Sequence, residues 1–213
     1  MAEKLKHYSK REELTSAVLH FAGVILALAG AYPLRQLQLK SGDDLFGIGL
    51  LFYWFSLLAM FGASGFYHIC PSEKFKPAAR KLDHCAIYLL ITGTYAPLIT
   101  GAVRTTGGYA ILLTLIFLTL AGIAGKFLFA NKFHFLEVAI YIIMGWACVF
   151  IARDLIASMS SKGVLLLLAG GILYTAGVIF YVNKREFAHA VWHLFVLAGA
   201  IFQYFAILSI GNL

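Results

Sequence analysis

The chain has 213 residues, 61% of them hydrophobic and 13% charged, with a mean hydropathy of +0.84. A water-soluble domain of this size cannot hide so much apolar surface, so lipid is the expected solvent for most of the chain. The net charge of +7 comes from basic residues that fall between apolar runs and form no basic domain, so no nucleic-acid partner is expected and the charges read as orienting loops.

Residues 1–13, charged and without an apolar signal core, read as a cytoplasmic N-terminal tail. Residues 14–213 then form one membrane domain with no room for a second, soluble one. A bilayer core takes about 20 apolar residues per helix. Stretches free of Lys, Arg, Asp and Glu predict seven spans, at 14–34, 45–70, 84–103, 107–125, 138–152, 164–182 and 188–210. The fifth is short, so Glu137 and Arg153 are expected at its ends. The breakers LKSGDD, CPSEKFKP, ANKFH, SMSSKG and VNKRE separate the runs. The expected fold is therefore an all-α integral membrane protein, a seven-transmembrane helix bundle. Cys70, Cys85 and Cys148 are odd in number and include no CxxC, so a disulfide framework is not expected.

Loop charge sets the direction. Lys4, Lys6, Lys10 and Arg11, then Lys74, Lys76, Arg80 and Lys81, then Lys126, Lys132, Lys184 and Arg185 fall on one side. Only Arg35, Lys40, Arg104, Arg153 and Lys162 fall on the other. Twelve against five predicts a cytoplasmic N-terminus and a C-terminus outside.

Direction decides which helix ends are neighbours. GASGFYH (62–68) closes span two on the cytoplasmic side, LDHCAIYLLITGTYAP (82–97) opens span three there, and FAHAVWH (187–193) opens span seven there. Ser64 and His68, like His189 and His193, are four apart and share a helix face. Ionisable groups within a span usually face the protein interior or water. For any one of these histidines the plainer reading is a helix-end side chain bonded to backbone. The set on converging ends points to a metal, and three imidazoles with an open fourth position suit zinc. Asp83 can hold a water or orient a histidine ring. His84, on a different face, is expected to pack or to support from behind. His20, about two turns into span one on the same side, can approach the site, with a satisfied core histidine as the commoner role. His7 and His134 lie in polar segments and are expected in solvent. Cys70 and Cys85 lie near the same end, and either could be a fourth ligand, with burial as small apolar groups the commoner role.

With these residues assembled, the chain resembles the hemolysin III branch of the progestin and adiponectin receptor (PAQR) family. The resemblance rests on SGFYH in span two, LDHCAIYLLITGTYAP in span three, YIIMGW in span five and HAVWH in span seven, and it extends over essentially the whole chain. EELTSAVLH at the head of span one is similar to the family's first motif, with Ser16 where the family usually has Asn. The resemblance implies a zinc site near the cytoplasmic face, with His68, His189 and His193 as ligands, Asp83 holding the water at the metal and Ser64 beside it. The short tail looks like that of bacterial members, which implies a multi-pass protein of a bacterial cell membrane. Eukaryotic members are linked to hydrolysis of lipid amides, especially ceramides. Bacterial members carry the hemolysin name and are connected with membrane lipid homeostasis.

The expected function is that of a zinc-dependent hydrolase of a lipid amide or ester, with Asp83 as general base, Ser64 as hydrogen-bond donor and membrane lipids as partners. Two alternatives stand beside it. One is a pore-forming, cytolytic protein, disfavoured because such proteins are usually exported in soluble form. The other is a non-catalytic membrane sensor in which zinc is a structural staple.

Overall fold

The computed structural model describes residues 8–128, 134–183 and 185–212, without the side chains of residues 134, 211 and 212. The expectations for Lys4, Lys6, His7, Lys132, Lys184 and the His134 side chain lie outside the described residues. Eight α-helices follow in order: α1 (Lys10–Ser41), α2 (Asp44–Ile69), α3 (Lys76–Pro97), α4 (Thr106–Leu128), α5 (His134–Gly145), α6 (Ala152–Ser158), α7 (Ser161–Tyr181) and α8 (Ala188–Leu208). A π-helical turn at Leu98–Ala102 prolongs α3, and a 3-10 stretch at Trp146–Ile151 joins α5 to α6. The result is seven segments long and apolar enough to cross a membrane, one for each span expected from the sequence.

Five of the segments are longer than the apolar runs, the first, third and fifth by the most. The first begins at Lys10, because the Ser9 side chain accepts from the Glu12 amide at 3.2 Å and Glu12 and Glu13 suit the positive end of the helix dipole. The third begins at Lys76, with Pro77 in the first turn where no amide hydrogen is needed. The fifth runs over Phe135–Ser158, so Arg153 lies inside it rather than at its end. Between α1 and α2 the chain turns in two residues. Gly42 takes the left-handed conformation (φ 61°), and Asp43 caps α2 by accepting from the Phe46 amide at 2.9 Å. That amide, with the Arg104 guanidinium 2.6 Å away, holds the Asp43 carboxyl below its usual range.

The third segment is the centre of the bundle: 72% of its apolar window is buried, against 11% for the fifth. α2 packs between α1 and α3, while α8 packs on α7 and α1. α4 lies on the outer side of α3, where Leu113, Phe117 and Leu120 point outward, as lipid-facing side chains do. Close approach relies on small residues: Gly93 of α3 abuts Ser56 of α2, and Gly23 of α1 abuts Phe61 of α2. Hydrogen bonds also cross between helices. Trp54 Nε1 donates to the Ala27 carbonyl at 2.9 Å, and the Thr92 and Thr119 hydroxyls meet at 2.7 Å. The Tyr95 hydroxyl donates to the Gly145 carbonyl (2.8 Å) and accepts from the Cys148 amide (2.7 Å). It thus satisfies backbone groups where α5 gives way to the 3-10 stretch.

Candidate metal centre

His68 is on the last turn of α2, and His189 and His193 open α8. Phe187 adopts φ 61° immediately before α8, so the helix starts at Ala188 and presents His189 on its first turn. One ring nitrogen from each histidine falls in a single group whose members all lie within 4.8 Å of one another, and all three residues are buried. The ring centroids of His68 and His193 are 4.8 Å apart, those of His189 and His193 4.4 Å, and those of His68 and His189 5.2 Å.

Hydrogen bonding fixes how His68 is presented. Its Nδ1 is 2.6 Å from Glu13 Oε2, and a carboxylate only accepts, so Nδ1 carries the hydrogen. The Nε2 lone pair then points at His193 Nε2, 2.8 Å away. His193 Nδ1 has no hydrogen-bond partner among the described residues, so in this arrangement the His193 hydrogen sits on Nε2 and is donated to His68, and it has to shift to Nδ1 for Nε2 to act as a ligand. The other Glu13 oxygen accepts from Lys76 Nζ at 2.6 Å. Tyr8 stacks on His189 with centroids 4.5 Å apart and planes 22° apart, and burial pushes its phenol pKa up.

These residues fit a metal ion. Two zinc–nitrogen bonds of about 2.1 Å at a tetrahedral angle put the nitrogens about 3.4 Å apart, within the spread of the group. The donors are neutral imidazoles, which suit a borderline ion. A carboxylate behind one of them is the support that ligating histidines usually have.

Ser64 lies one turn before His68, fully buried, with no hydrogen-bond partner for its hydroxyl among the described residues. Asp83 is buried and stands outside the three-nitrogen group. It forms part of the wall of a largely apolar cavity of about 260 Å³, built mainly from α3, α5, α7 and α8 and including His20. Tyr95, Leu155 and Val164 also line it.

A family model described as "Haemolysin-III related" matches residues 8–204. The chain belongs to the haemolysin-III related family. Among its relatives, it is 35% identical over 202 residues to a hemolysin-3 homolog of Bacillus subtilis (strain 168), covering 94% of this chain and 95% of that protein. It is 35% identical over 211 residues to hemolysin-3 of Bacillus cereus, covering 98% and 96%. It is also 29% identical over 207 residues to the human monocyte to macrophage differentiation factor, covering 92% and 83%. With seven apolar helices, this haemolysin-III family member is a multi-pass integral membrane protein, and its Bacillus relatives fit a bacterial cell membrane.

Two expectations about nearby histidines need restating for this family member. His20 is not a satisfied core residue. Its ring meets His193 edge-on at 4.0 Å, and neither nitrogen has a hydrogen-bond partner among the described residues. His84 belongs to a separate buried group. The Lys126 ammonium donates to Glu137 at 2.8 and 2.9 Å and lies 3.0 Å from His84 Nδ1. Cys70 and Cys85 are buried and outside the three-nitrogen group. Glu13 was missed, because a carboxylate in a charged N-terminal segment reads as solvated. Its spacing held the signal: positions 13, 16 and 20 fall on one helix face, and Ser16 and His20 are fully buried there.

Proposed function

We propose that this protein is a zinc-dependent hydrolase that acts on a lipid amide or ester from within the membrane. The observation that carries this reading is the closeness of the three-histidine group to a largely apolar cavity: His20, whose ring meets His193 at 4.0 Å, lines that cavity together with Asp83. A zinc ion bound by His68, His189 and His193 supplies a Lewis acid and brings the pKa of water toward about 7. Asp83, in the cavity wall, accepts a proton from the attacking water and returns it to the leaving group. The Ser64 hydroxyl donates a hydrogen bond to the developing oxyanion. Glu13 and Lys76 hold His68 in the tautomer that presents Nε2. The apolar walls take an acyl chain and keep bulk water from the reacting carbonyl.

The loop-charge asymmetry supports a cytoplasmic N-terminus, and with it a site near the cytoplasmic face. The test is turnover of lipid amides and esters by purified protein in detergent or nanodiscs. The wild type should hydrolyse one of these classes, and a His189→Ala, His193→Ala double variant should lose that activity. Equal turnover by both proteins overturns the zinc mechanism.

One observation favours a second reading, zinc as a structural staple in a non-catalytic membrane sensor. The three histidines join α2 to α8, which otherwise make few contacts with each other. This reading expects a large fall in melting temperature on chelation and no turnover.

A further inference from the structure

The segment that leads into α1 meets two of the three histidines by two different forces. Glu13 bonds to His68 Nδ1 at 2.6 Å. Tyr8, five residues earlier, lays the face of its ring on His189, with centroids 4.5 Å apart and planes 22° apart. The same phenol ring meets His68 edge-on at 6.3 Å and 61°. Both side chains stand on one fixed piece of backbone. Ser9 caps α1 by accepting from the Glu12 amide at 3.2 Å, and the Glu13 amide donates to the Ser9 carbonyl at 2.9 Å.

The rings around His189 show what Tyr8 adds. Trp192 lies at 5.2 Å and 36°, Tyr181 at 6.1 Å and 38°, and these two meet each other at 4.7 Å. Of the three, Tyr8 is nearest and closest to parallel. His189 sits in the first turn of α8, directly after the left-handed Phe187, where a helix frays most readily. The outer torsion of a histidine side chain is broad, so the plane of the imidazole is set by what lies against it.

The stack also distinguishes a loaded site from an empty one. A tyrosine ring has a negative face, which attracts positive charge. An imidazole bonded to a divalent ion is poorer in electrons than a free one, so the phenol face holds it more strongly. A contact that differs between two states couples them, and such coupling is reciprocal.

We propose that Tyr8 is a positioning residue for His189, and that its stack couples metal occupancy to docking of residues 8–13. The proposal rests on the metal-centre reading above. Zinc is held more tightly while Tyr8 is docked, and the segment is held more tightly while zinc is bound, by the same factor. Ser9 and Lys10 are exposed, so the entry to α1 carries the state of a buried site to the protein surface.

Two measurements on the full chain in detergent test the coupling. Zinc affinity is read by competition with a chelator of known affinity. Tyr8→Leu, which keeps apolar bulk without a ring face, should bind zinc about fivefold more weakly, the scale of one cation–π contact. Tyr8→Phe, which keeps the face, should bind close to wild type. Amide exchange over residues 9–13 is then read with and without saturating zinc. Zinc should slow it in the wild type, and by about fivefold less in Tyr8→Leu. Equal zinc affinity in Tyr8→Leu and wild type overturns the proposal. So does a Tyr8→Phe protein as weak as Tyr8→Leu, which traces the loss to the hydroxyl. Exchange that zinc leaves unchanged in the wild type overturns it without recourse to any variant. A wild type that binds no zinc removes the hydrolase reading and the coupling together. Zinc binding that weakens in Tyr8→Leu, in a protein without turnover, supports the coupling and removes the hydrolase reading alone.

Discussion

Glu13 and His68 are separated by 55 positions in the chain, yet a carboxylate oxygen of one lies 2.6 Å from Nδ1 of the other. The contact ties the start of α1 to the end of α2 and sets which nitrogen His68 offers to the group it shares with His189 and His193. Lys76 closes the arrangement from α3.

Removing that carboxylate should weaken the metal site without removing a ligand. Supporting groups of this kind are typically worth 10–100-fold in metal affinity. Glu13→Ala should therefore bind zinc about that much more weakly in competition with a chelator of known affinity. Lys76→Met, which leaves the Glu13–His68 contact intact, should have a smaller effect. An unchanged affinity in Glu13→Ala would remove Glu13 from the centre.

The buried Lys126 offers a separate test, on stability. Its ammonium is enclosed and its charge is met by Glu137, with His84 alongside. Breaking such a pair from one side leaves a buried charge alone, at a cost of about 3–5 kcal/mol. Glu137→Leu should lower the melting temperature sharply, and Lys126→Met combined with Glu137→Leu should recover much of the loss. Two independent, additive losses would mean that the pair is not energetically coupled.

The seven spans were legible because an apolar run of membrane length is costly anywhere but in lipid. What stayed hidden was how charge is absorbed at their ends. Glu137 looked like a boundary, and its charge is instead met by Lys126 from the neighbouring helix. Glu13 looked like part of a solvated tail for the same reason, since its partners His68 and Lys76 lie 55 and 63 positions away. The three histidines of the candidate centre could be read from spacing and loop charge. For His20 the sequence left both an approach to the site and a core role open, because the choice depends on the rotation of α1 about its axis against α2 and α8.

Tyr95 offers a test of how the fifth segment is held. Its hydroxyl is bonded to the Gly145 carbonyl and the Cys148 amide where that segment changes helical type. Tyr95→Phe deprives both backbone groups of their partner, and each unpaired buried group costs roughly 1–3 kcal/mol. A clear fall in melting temperature and faster amide exchange around residues 145–148 are expected. Unchanged exchange there would show that other groups satisfy that backbone.

Close packing of α3 on α2 can be tested at Gly93. A Cβ at that position meets the Ser56 side chain, with the Tyr53 backbone behind it at 3.5 Å. Gly93→Ala should cost on the order of 1–3 kcal/mol as overpacking, and Ser56→Gly in the same chain should relieve most of it. Equal destabilisation with and without Ser56→Gly would mean that the crowding lies elsewhere.

The central claim is that three buried histidines from two helices hold one zinc ion. Its most direct test is elemental analysis of protein purified without chelators, alongside His68→Ala and His193→Ala variants of confirmed fold. Close to one zinc per chain is expected in the wild type, with most of it lost in either variant. A wild type free of zinc, or variants that retain it in full, would contradict the claim.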